Sequence, residues 1–175
     1  DMVELVRTHF TTFEDSSLLF EVVFQFANLN NLKMCVALKG VENSEKIKIE
    51  LDYYKKVTSN VEMIPRSGFS SYEAVQVSKL SITLGSTLGY EALGFGRRVM
   101  IGHDIDEISS AIGTERWDNN LMTFKLGELQ RIRSLDYNEF STKALKLLHM
   151  TDEEYVAYSN EAREYYMNIN PTNFP

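Results

Sequence analysis

The chain is poor in the residues that announce a stapled scaffold or a metal centre. Its 175 residues include one cysteine, three prolines, three histidines and one tryptophan. A lone thiol closes no intramolecular disulfide, which excludes a disulfide-stapled secreted fold and favours a reducing compartment. His9, His103 and His149 show no metal-ligand spacing with Cys35 or with one another, so no metal site is expected. No run approaches the roughly 18 apolar residues of a membrane span, and no stretch has the layout of a signal peptide. Repeats and low-complexity tracts are lacking too. Basic charge is also short: 18 Lys and Arg stand against 25 Asp and Glu, a formal net charge of -7. That excludes a general nucleic-acid binder, which needs a basic footprint. It leaves open the capture of a single nucleotide, because the free amides at a helix N-terminus hold a phosphate without net positive charge.

What remains is ordinary for a globular protein, 43% apolar and 25% charged. The length suits one domain, or one domain with appended helices, and buries a core without staples. The chain opens on "DMVELVRTHF" with no initiator methionine, so a fragment of a longer protein is expected.

Apolar periodicity then sets out an alternation. "DSSLLFEVVFQFANLNN" predicts a helix capped by Asp15 or Ser16, and "LKMCVALKG" a fully buried strand that makes Cys35 a small core residue. "NSEKIKIELDYYKKV" predicts an amphipathic helix, "NVEMIP" a strand stopped by Pro65, and "SSYEAVQVS" a short helix. "KLSITLG", "STLGYEALGFG" and "RRVMI" read as strand, helix and strand. Strands alternating with helices imply βαβ crossovers, hence an α/β fold with a Rossmann-like parallel sheet covered by helices on both faces. After Ile101 a polar stretch follows, then a candidate strand in "LMTFKLG" and a C-terminal helical extension. Asp136 is the N-cap expected for "DYNEFSTKALKLLHM", and Thr151 with Glu154 forms a capping box for the last helix. The expected division is residues 1–125 as the nucleotide-binding domain and 126–175 as helices packing on it.

"SITLGSTLGYEALG" carries the chemistry. In open α/β sheets, ligands collect where strand ends turn into helices. Gly85 allows close backbone approach, and Ser86 and Thr87 offer hydroxyls beside the first free amides of the helix. Glu91, one turn further on, can accept two bonds from a ribose diol. The same residues also fit an ordinary capped turn and a solvated helix glutamate.

"SKLSITLGSTLGYEALGFGRRVM" resembles the C-terminal nucleotide-sugar-binding half of a GT-B glycosyltransferase, of the kind used in bacterial surface-carbohydrate, capsule and lipopolysaccharide biosynthesis. "LKMCVALKG" and "NVEMIPRSGFSSYEAVQVSKLSI" are similar to the preceding parts of that layout. The resemblance implies transfer of a sugar from a nucleotide-sugar donor to a glycan or lipid-linked acceptor. Ser86, Thr87 and the amides at Thr87 and Leu88 would face the donor phosphates beside Gly85, Lys39 would add charge, and Glu91 would hold the ribose. Arg66, His103 and Asp104 would line the donor rim. No cofactor is implied. The acceptor site and general base would come from a missing N-terminal domain, so the fragment is expected to be inactive alone. The implied location is the cytoplasm at the inner face of the membrane, with peripheral association through the missing part. The alternatives are a sugar-nucleotide epimerase of the same fold and a non-catalytic interaction domain that kept the fold.

Other residues have plainer readings. Trp117 is expected as a packing anchor, with Glu115 and Asp118 beside it in a polar loop. Tyr155, Tyr158, Tyr165 and Tyr166 are expected to dock the last helix. Arg97 and Arg98 read as surface charges.

Overall fold

The computed structural model describes residues 11–41, 45–57, 61–84, 86–102, 105 and 125–167. They belong to two compact units, one of residues 24–78 and one of residues 1–23 with 79–175.

No proline or glycine interrupts the sequence from Thr11 to Leu29, and helix α1 spans all of Thr11–Leu29. It therefore begins ahead of the Asp15–Ser16 cap expected from sequence. Its end is set by Asn31, which takes the left-handed conformation at φ 53°. Leu32 N–H then bonds the Ala27 carbonyl at 2.8 Å, and Asn31 N–H bonds that of Asn28 at 3.3 Å, the pattern of a Schellman motif.

In the 24–78 unit, β1 (Cys35–Val41) runs parallel to β2 (Glu62–Arg66), joined through α2 (Glu45–Val57) and followed by α3 (Ser70–Val77). Helix α2 packs on β1 and buries Ile47 and Tyr54, two turns apart on one face. Strand β1 is not buried on both sides as expected. Cys35 and Ala37 are exposed, Val36 is half-buried and Leu38 buried, so burial falls on one face with the period of two of a strand. Strand β2 continues through Pro65 to Arg66 instead of stopping at it. A proline without an N–H is compatible with a strand where no ladder donor is needed. Helix α3 buries none of its residues, and Phe69, Tyr72 and Val77 are exposed.

In the other unit, β3 (Ser81–Thr83) runs parallel to β4 (Val99–Ile101), with α4 (Thr87–Gly94) between them. Val99, Met100 and Ile101 are all 0% exposed. Burial on that scale contributes roughly 1.5–3 kcal/mol per side chain. A strap follows at residues 125–131, containing a 3-10 turn (Glu128–Gln130), and its Arg131 bridges in parallel to Ile101. Helices α5 (Tyr137–His149) and α6 (Asp152–Met167) complete the unit. Both caps expected from sequence are formed. Asp136 accepts from Glu139 N–H at 2.8 Å. Thr151 and Glu154 bond each other's backbone N–H, at 2.8 and 3.1 Å.

Three tyrosines of α6 hold this unit together. The Tyr155 hydroxyl accepts from Val99 N–H and from Gln130 Nε2, at 3.1 and 2.9 Å. Tyr158 and Tyr166 accept from Leu129 N–H and Lys125 N–H, at 2.7 and 3.0 Å. Gly127 has no side chain because a Cβ there would overlap the Tyr158 ring and hydroxyl. Arg98 is not the surface charge expected. It donates to the carbonyls of Leu147 (2.9 Å) and Met150 (2.6 Å) and pairs with Asp152 at 2.8 Å. It thus satisfies the C-terminal carbonyls of α5.

The expected Rossmann-like sheet is not what the chain forms. Among the described residues helix predominates, and the strands make two separate two-stranded parallel sheets, β1–β2 and β3–β4. The sequence pattern reports each local strand–helix–strand step correctly. Whether such steps merge into one broad sheet depends on edges meeting edges, which periodicity does not encode. Residues 121–124 of the candidate strand "LMTFKLG" lie outside the described residues, and Lys125 and Leu126 sit in a turn and bend.

Candidate functional site around the amino end of helix α4

Helix α4 is held from its carboxyl end and left open at its amino end. Gly96 takes φ 73°, allowing Gly96 N–H to reach the Leu93 carbonyl and Arg97 N–H that of Ala92, both at 2.9 Å. This Schellman closure is what Gly-Phe-Gly encodes. Arg163 of α6 donates to the Gly94 carbonyl at 3.2 and 3.4 Å, adding charge that favours this end of the helix dipole. One face of α4 is buried through Gly89, Tyr90, Ala92, Leu93 and Gly94. Gly89 is the contact point with the sheet, because a Cβ there would overlap Thr83 Cγ2.

At the amino end, Ser86 is the N-cap in an extended conformation and makes no side-chain capping bond. Its own N–H donates to Thr83 Oγ1 at 3.3 Å, and its carbonyl accepts from Gly89 N–H at 2.9 Å. Ser86 and Thr87 are exposed. Among the described residues, no bond is made to the backbone N–H of Thr87 or Leu88. First-turn amides beside two exposed hydroxyls suit an anionic ligand.

Glu91 stands four residues after Thr87, on the same face, about 6 Å further along the axis. Its Oε2 is buried and, among the described residues, has no hydrogen-bond partner. A buried carboxylate oxygen without a donor is destabilising, so this one calls for a physical explanation.

Of the residues singled out from sequence, the structure places Ser86, Thr87, Leu88 and Glu91 on one helix. Lys39 and Arg66 lie toward the carboxyl ends of the adjacent parallel strands β1 and β2, in the 24–78 unit, and their side chains lie outside the described residues. Gly85, His103, Asp104, Glu115, Trp117 and Asp118 also lie outside them. Sequence reading missed Thr83 and Gly89, which set how α4 meets the sheet. The signal was there: a hydroxyl residue closing the strand, three positions before the N-cap, and a glycine inside a helix, where it costs about 1 kcal/mol relative to alanine and so calls for a packing reason.

A family model described as "putative O-antigen biosynthesis protein" matches residues 5–119, a span that includes β1 to β4 and α4. The chain belongs to this O-antigen biosynthesis family. Membership links it to surface-carbohydrate biosynthesis. No curated protein and no solved structure matches the chain. Among the described residues, no helix is long and apolar enough to cross a membrane, and no cluster of His, Cys, Asp and Glu could hold a metal ion.

Proposed function

We propose that this O-antigen family member binds the nucleotide-sugar donor of a glycosyl transfer reaction at the amino end of α4. The observation that carries the reading is the buried Oε2 of Glu91, which has no partner among the described residues and stands one turn beyond a helix start with no side-chain cap. A nucleoside diphosphate fits that spacing. Its phosphates take the amides of Thr87 and Leu88 and the hydroxyls of Ser86 and Thr87, while its ribose diol supplies a donor to Glu91 Oε2. Catalytically, the helix start would stabilise the negative charge that develops on the departing nucleoside diphosphate. The sugar acceptor and the base that activates it lie outside this reading, as do Lys39 and Arg66.

The test is a titration with UDP, GDP and CDP and their sugars, followed by backbone amide chemical shifts. The expected result is a response confined to Ser86 through Glu91 for one base, weakened about tenfold or more by Glu91→Ala, the scale of a charge-assisted bond. Absence of any response at millimolar nucleotide, or an affinity that Glu91→Ala leaves unchanged, overturns the reading.

A further inference from the structure

We infer that Thr83 is a positioning residue for this site: its hydroxyl sets the first turn of α4 and its methyl sets the depth at which α4 lies on the sheet. The inference rests on the donor-binding reading. Three parts of one residue act on three different residues. Oγ1 accepts from Ser86 N–H at 3.3 Å and so holds the N-cap residue from below. Cγ2 occupies the notch that Gly89 leaves by having no side chain. The Thr83 carbonyl accepts from Gly102 N–H at 2.8 Å, which ties the end of β3 to the exit of β4.

The consequence for the site is geometric. Ser86 N–H is engaged by Thr83 and Gly89 N–H by the Ser86 carbonyl, so among the described residues the first-turn amides without a partner are those of Thr87 and Leu88. An anion held by two amides and two hydroxyls needs them fixed before it arrives, since ordering a turn on binding subtracts from affinity. Thr83 is not itself in contact with ligand in this scheme. It acts through Ser86.

The two groups on Cβ can be removed one at a time. Thr83→Val keeps the methyl against Gly89 and deletes the hydroxyl. Thr83→Ser keeps the hydroxyl and deletes the methyl. The expected result is a crossed pattern for the base that wild type binds among UDP, GDP and CDP. Thr83→Val weakens binding roughly five- to tenfold, the equivalent of one neutral hydrogen bond, and leaves the Ser86 amide less protected from hydrogen exchange. Thr83→Ser binds as wild type but melts earlier. Binding by wild type that Thr83→Val leaves unchanged overturns the positioning role and keeps the donor site. If wild type binds none of the three, the donor reading falls, and the positioning role falls with it. If both variants lose affinity in proportion to lost stability, Thr83 is structural only and the inference is overturned.

Discussion

The two parallel sheets differ in a way opposite to their size. Strands β1 and β2 have seven and five residues, whereas β3 and β4 have three each. Yet β1 alternates exposed and covered residues and the helix after β2 buries nothing, while every residue of β4 is fully buried. Strand length and apolar content therefore do not set burial. What sets it is cover. Strand β4 has α4 packed on it, the strap paired to its last residue, and the Tyr155 hydroxyl on its first N–H. The candidate site sits on the better-covered sheet, where Thr83 holds the N-cap residue Ser86 and the first-turn amides of Thr87 and Leu88 have no partner among the described residues. Preorganisation of this kind is what an anion site requires.

The comparison can be broken by unequal responses to truncation. Phe140→Ala, in the residues 79–175 part and 1% exposed, should cost about 3–5 kcal/mol, read from denaturant unfolding. Val77→Ala, at 84% exposed on α3, should stay within about 0.5 kcal/mol. Equal costs at the two positions would erase the distinction. Next in size is Tyr155→Phe. It orphans the buried donors of Val99 and Gln130, at roughly 1–3 kcal/mol for each, and urea midpoints would measure it.

The smallest expected effect is acid sensitivity of the strap. Burial pushes the Glu128 carboxyl up, but the bond and charge of Lys143, with Arg133 and Arg131 added, hold it below its ordinary 4.5. A carboxyl lowered in the folded chain stabilises above its unfolded value, and that stabilisation disappears as pH falls through the folded one. Glu128→Gln should therefore flatten the loss of stability below about pH 4.5 while leaving the neutral-pH midpoint little changed, because Glu128 is largely exposed. A pH profile identical to wild type would remove Glu128 from the account.

Local features were legible and long-range ones were not. The caps at Asp136 and at Thr151 with Glu154 involve residues three apart, so their chemistry is complete within one turn of helix. The strand–turn–helix from Ser81 to Gly94 was likewise readable, as was the glutamate one turn into it. Arg98 was misread because its partners at Leu147 and Met150 are 49 and 52 residues away. Cys35 was misread because an apolar run does not say how many of its faces are covered. The broad sheet was misread for the same reason on a larger scale.

By itself, then, the sequence determined the alternation of helices and strands from Cys35 to Ile101, the caps at Asp136 and at Thr151 with Glu154, and the placing of Ser86, Thr87 and Glu91 on one short helix. Each of these depends on interactions within a few residues. Only the tertiary structure decided that the strands divide into two sheets, that Thr83 and Gly89 interlock, that Arg98 caps a distant helix, and that one oxygen of Glu91 is buried with no partner among the described residues. Those outcomes depend on which surfaces meet, and packing between segments far apart in the chain leaves no periodic trace in it.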